Sequence, residues 1–260
     1  MRTPSYSVLL VASFLAAGSL FGAARTFDGH PDLSGIWQTL STANWDLQDH
    51  PASAGPFFQL GAVGAIPSGQ GVVEGGEIPY KPEALKQKEA NFKNRWKDDP
   101  EVKCYMAGIP RANYMPYPFQ IVQTPQSILM AYQYASANRI INMEKTPLEA
   151  SVDTWMGTAN GHWEGETLVV DNTGFNEDSW FDRAGDFHSD QLHVVERFKL
   201  IDADHMNYEA TIEDPQTFTR SWKINLVLYR HTEKNAQLTE FKCVEFAEEL
   251  LYGDVRKKKQ

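Results

Sequence analysis

One run of alternating residues breaks its own pattern. Over residues 192–200, alternation sets Leu192, Val194, Glu196, Phe198 and Leu200 on one face and His193, Val195, Arg197 and Lys199 on the other. A carboxylate thus falls in an apolar stripe, where burial suits it to general acid–base chemistry. Two structural readings stand beside the catalytic one: an ion pair with an arginine on a neighbouring strand, and a bulge that turns Glu196 outward. The loop before this run offers partners in Asp182, Arg183, Asp186, His188 and Asp190. Arg183 is a candidate holder of a carboxylate or enolate oxygen, His188 a proton shuttle and Asp182 an orienting group. The same acids also suit turn capping, Asp182 and Asp190 above all. His188, His193 and Glu196 supply two nitrogens and an oxygen, a ligand set of catalytic zinc and iron sites. Alternation sends His193 and Glu196 to opposite faces, so no metal site is expected.

Aromatic residues recur through the same half of the chain. Trp155, Trp180, Tyr114 and Tyr117, with His193, are the candidates for contact with a ring-containing or apolar ligand. Packing in the core is the competing role, because small barrels fill themselves with large side chains. The nucleophile-elbow pattern fails at 157–161, where Ala159 occupies the serine position. H-E-x-x-H, a P-loop and a Rossmann fingerprint are absent, so no nucleotide cofactor is expected.

The elements that must position these groups are mostly strands. Residues 119–124, 127–134, 139–143, 167–172, 192–200, 207–213, 221–229 and 237–243 are short runs with turn residues between them. That spacing predicts a mostly-β fold, an antiparallel meander closed into a lipocalin-like barrel or barrel-like sheet. Alternating βα units are absent, which argues against Rossmann and TIM architectures. Before the strands, residues 45–80 are rich in Gly and Pro and form an irregular covering segment. Pro82 and Glu83 then open an amphipathic helix over 82–97. Residues 25–260 read as a single domain.

Residues 1–24 read as a signal peptide: Arg2, an apolar run over 8–21, then Gly22, Ala23 and Ala24 before the cleavage point. An exported chain, periplasmic or secreted, follows, with no membrane span after processing. Its two cysteines, Cys104 and Cys243, are then expected to form a disulfide. The formal charge of −10 makes the chain a poor partner for nucleic acid.

Several blocks also resemble a widespread, largely uncharacterised family of exported bacterial proteins: PDLSGIW (31–37), DPEVKCYMAGIPR (99–111), PYPFQIVQTP (116–125), WMGTANGHWEGETLVVDNTGF (155–175), WFDRAGDFHSDQLHVVERF (180–198) and YEATIEDPQTFTRSW (208–222). The resemblance covers most of the mature chain. It implies export and a shared barrel-like fold, and it supplies no reaction. Two departures stand out. The family's histidine-containing turn after the strand ending near Met143 reads Glu144-Lys145-Thr146-Pro147-Leu148 here, and around Glu245 only the acid of the family's His and Gly-Asn pattern is kept.

The leading expectation is therefore an exported, cofactor-independent enzyme of the lyase, isomerase or hydrolase kind. It would act on a small cyclic or aromatic substrate, with Glu196 and His188 handling protons. The alternatives are a lipocalin-like binder of an apolar molecule and a carbohydrate-acting enzyme that pairs Glu196 with Asp171.

Overall fold

The structure is a computed structural model that describes residues 24–255, so the expected signal peptide lies outside it except for Ala24. In chain order the strands are β1 (Gly35–Thr39), the two-residue β2 (Asp49–His50) and β3 (Gly69–Gln70), then β4 (Phe119–Gln123), β5 (Ser127–Tyr132), β6 (Asn138–Asn142), β7 (Thr158–Glu164), β8 (Thr167–Thr173), β9 (His193–Leu200), β10 (His205–Glu213) and β11 (Trp222–Arg230). β2 and β3 pair with each other, and the other nine close a barrel in the order β1-β11-β10-β9-β8-β7-β6-β5-β4.

The barrel departs from an antiparallel meander at one seam. β6 and β7 run parallel, with Ile141 opposite Ala159 and Asn142 opposite Asn160. The cause is the connection over 143–157, which travels the length of the barrel instead of turning back at once. Asn160 holds this crossover in place: its side chain accepts from Leu148 N at 2.7 Å and donates to Leu148 O at 2.9 Å. Gly161 permits the close approach, since a Cβ there would lie 2.7 Å from the Ile141 side chain. β7 lies outside the strand runs read from the sequence. Conversely, residues 237–243 form no strand and the ladder ends at Arg230.

Alternation fills the interior. Phe119, Ile128, Met130, Ile141, Val170, Val194, Phe198, Met206, Tyr208, Ile212, Ile224 and Leu228 are all buried to within 1 % and belong to one core. β1 and β4 close the barrel with Gly35 opposite Ile121. The indole of Trp37, fully buried, donates to Leu33 O at 2.9 Å.

Apart from the crossover over 143–157, strand directions send the long connections to one end. β1 leaves there, β4 enters there after residues 40–118, and the segments 174–192 and 214–221 join β8 to β9 and β10 to β11 at the same end. The other end carries the short turns at 124–126, 165–166 and 201–204. The crowded end is therefore a cap. Helix α1 (Pro82–Asp98) lies on its outside, with no fully buried residue and with Leu85 and Phe92 about half exposed. After β11 the tail returns to the cap, where Cys243 is disulfide-bonded to Cys104 at a Cα separation of 5.7 Å, within the span a disulfide bridges. A short helix α2 (Ala247–Tyr252) follows. Among the described residues, no helix is long and apolar enough to cross a membrane.

Candidate functional site

Glu196 points into the barrel, as the alternation requires, and is fully buried. Arg139 reaches it from β6, with Nη1 2.6 Å from Oε2 and Nη2 3.1 Å from Oε1. Asn113 Nδ2 and the Tyr208 hydroxyl donate to Oε1 at 2.7 and 2.9 Å, and Asn172 Nδ2 donates to Oε2 at 2.9 Å. The supporting atoms are themselves tied: Tyr132 donates to Asn113 Oδ1, and Arg139 Nη1 to Asn172 Oδ1. Burial opposes the charge on Arg139, but the carboxylate of Glu196 outweighs it and raises the guanidinium pKa. Every lone-pair direction of Glu196 is thus taken by a donor, and the walls around it are packed. This is a cross-barrel ion pair that joins β6 to β9 and pulls Asn113 of the cap into the lumen.

The residues missed from sequence carried the same signal as Glu196. In β6, alternation sets Arg139 with Ile141 on the inward face, a cation in an apolar stripe that matches the anion of β9.

The cap holds a second network. Arg111, fully buried, donates to Asp99 Oδ1 at 3.0 Å and to Glu101 Oε2 at 2.7 Å. Arg183 meets the same Glu101 in a two-point contact, Nε to Oε2 and Nη2 to Oε1, each 2.7 Å, and stacks over Trp45 with its Cζ 4.4 Å from the ring centroid. Burial works against the charge of Glu101, yet the two guanidinium groups hold its carboxyl down at about 2. Arg183 is therefore committed to Glu101 rather than left free for an anion.

Above this pair lies a cavity of about 230 Å³ between the cap and the returning tail. Its walls include Trp96, Tyr117, Tyr134 and Phe241, with Arg183 and Glu101 at one side and Cys243 in the tail wall. The rings pack together: Phe241 lies edge to face with Tyr117 at 5.2 Å and tilted against Tyr134 at 5.0 Å, centroid to centroid. The Tyr134 hydroxyl donates to Glu101 O at 3.2 Å. Burial, and after it the nearby Glu101, pushes both tyrosine pKa values up, so both rings stay neutral.

A second opening, of about 380 Å³, follows the β6–β7 seam and is lined by Met106, Arg139, Ile140, Leu148, Trp155 and Met156, among others. It is a groove, with Ile140 62 % and Leu148 57 % exposed.

The other expected site residues scatter. Tyr114 is buried and donates to Phe181 O, and Trp180 is half-buried beside Phe187. Asp182 organises its own turn, accepting from Leu47 N, Ala184 N and Asp186 N. His188 is enclosed in the cap, where Nε2 lies 2.8 Å from Ser179 Oγ and Nδ1 2.9 Å from Ser189 O. His193 sits on the outer face between Asp171 at 3.0 Å and Glu213 at 3.2 Å. The trio His188, His193 and Glu196 therefore does not converge on one ion. Glu196 and Asp171 likewise face opposite sides of the sheet.

Two of these histidines titrate in opposite directions. Burial lowers the pKa of His188; the unfolded chain then takes up the proton first as pH falls through about 6.5, so stability declines on acidification. At His193, burial opposes the charge, but Asp171 and then Glu213 outweigh it and raise the pKa. The stability from that contact is full below the unfolded value and fades as pH rises through the folded one. An NMR titration of the ring protons is expected to give His193 a midpoint above that of a free histidine and His188 one below it. A shared midpoint would contradict both placements.

Compared with known proteins, the chain matches no family model and no curated sequence.

Proposed function

We propose that this is an exported small-molecule-binding barrel protein whose ligand, small and aromatic or otherwise flat and apolar, occupies the cavity between the cap and the returning tail. The observation that carries the reading is the pairing of a filled lumen with an aromatic-walled cavity outside it. The lipocalin-like expectation placed the ligand inside the barrel. Here the lumen is taken by side chains and by the Arg139–Glu196 pair, and the aromatic-walled room lies at the cap, while the seam opening is a groove with an exposed floor. Six aromatic residues, Phe57 and Phe246 with the four named above, line about 230 Å³ and suit a mono- or bicyclic ligand, held by stacking and apolar burial. Of the charges beside the rings, Glu101 is taken by Arg183 and Arg111, while Lys242, Glu248 and Glu249 line the tail side. The acid–base enzyme has weaker support, because Glu196 already accepts from four side chains and faces neither opening with a free oxygen. Export is supported by the amino-terminal residues and is compatible with the Cys104–Cys243 disulfide.

The test is ligand-observed NMR with phenol, benzoate and indole as probes, against the unaltered protein and against Tyr134→Ala and Phe241→Ala. At least one ring probe is expected to bind, with the affinity falling about tenfold when either wall ring is removed. Binding that both substitutions leave untouched, or no binding by any probe, would overturn the reading.

A further inference from the structure

In the cap, Asp46, Asp182 and Asp186 each offer a carboxylate oxygen, and the three atoms lie within 4.8 Å of one another. Asp182 and Asp186 are fully buried and Asp46 is half-buried. Backbone donors and one hydroxyl account for part of this set: Asp182 takes three backbone N–H groups, Asp46 Oδ1 takes Gln48 N, and Asp186 Oδ1 takes the Tyr80 hydroxyl at 2.8 Å. Asp186 Oδ2 has no hydrogen-bond donor although it is buried. The cation facing it, Lys88 Nζ on α1, makes an ion pair at 3.8 Å, beyond hydrogen-bond distance, and its side chain is 19 % exposed. One lysine against three acids leaves the cluster negative. An orphaned buried carboxylate oxygen beside two more carboxylates lacks a hard cation to complete it.

We propose that Asp46, Asp182 and Asp186 bind a divalent cation that prefers oxygen ligands, calcium first, with Lys88 displaced toward solvent. Calcium tolerates the irregular geometry of loop-borne carboxylates and fills its remaining positions with water, whereas magnesium demands a near-ideal octahedron. Bound there, the ion pins the turn around Asp46 to the turn around Asp182 and so stiffens the cap.

The experiment uses the whole mature protein stripped with EDTA and titrated with calcium chloride, magnesium chloride and terbium chloride. At about 10 mM calcium the thermal midpoint is expected to rise by about 2–6 °C, and EDTA should reverse the rise. Terbium should show luminescence sensitised through Tyr80, which calcium then quenches by competition. Asp46→Asn keeps the contact to Gln48 N but removes a charged ligand, and should abolish both responses. Lys88→Met removes the competing cation and should tighten calcium binding about tenfold. No midpoint rise and no sensitised luminescence in the unaltered protein would overturn the proposal, as would equal responses in Asp46→Asn. Lys88→Met that lowers the midpoint with and without calcium would also overturn it, marking Lys88 as the permanent counter-charge.

Discussion

Glu196→Gln is expected to lower the unfolding free energy by about 3–5 kcal/mol, the cost of leaving one member of a buried pair without its counter-charge. The amide keeps the shape of the carboxylate, but the Arg139 guanidinium would face a neutral group in a packed lumen, with neutral groups such as Asn172 Oδ1 and Met130 Sδ as its other acceptors. The amide NH₂ would also point at donors, since Asn113, Tyr208 and Asn172 all give hydrogens to this site. Arg139→Met should be about as damaging, because it leaves the carboxylate buried alone. The double variant Glu196→Leu with Arg139→Met removes both charges at roughly equal volume and should recover most of the loss. Urea unfolding of the four proteins checks this directly. A Glu196→Gln protein of near-normal stability that had lost a measurable turnover would assign the residue to catalysis instead.

The second large effect concerns the disulfide. Replacing both Cys104 and Cys243 by Ser frees a tail whose bridge spans 139 residues of sequence, worth up to about 5 kcal/mol in the chain-entropy account. The tail is not held by a strand ladder, so few other contacts compensate: Phe246 N to Val102 O is one, and the rings of Phe241 against Tyr117 and Tyr134 are another. Because Phe241 and Cys243 wall the cavity, the same change should weaken ring-probe binding about tenfold or more. It should leave the barrel's circular dichroism in place. Unchanged probe binding in the double-serine protein would separate the tail from the site.

How far the sequence reveals this arrangement depends on the range of the interaction. Strands such as β9 and β10 are legible because their inward residues alternate strictly, and the same alternation turns Glu196 inward. β7 is not legible: its small and polar residues serve a seam, and Asn160 and Gly161 are there for the crossover and for close approach rather than for a turn. The run at 237–243 looks like a strand because Phe241 and Cys243 are apolar, but they are pinned to the cap by a bridge and by rings. The partner of Glu196 lies 57 residues away on a strand that is not its neighbour, so a one-strand pattern shows the buried charge and not what balances it. The same limit applies to Arg183, whose place on a polar loop suggests a free cation, while Glu101, 82 residues earlier, occupies it.

The most direct test of the account is a ¹H–¹⁵N NMR titration of the protein with indole, read for where the shifts fall. Ligand at the cap–tail cavity is expected to move the Trp96 indole N–H and the amides of Val102, Phe241 and Cys243, while Val170, Val194 and Tyr208 in the barrel wall stay still. Shifts centred on those lumen residues, with the tail unmoved, would contradict it.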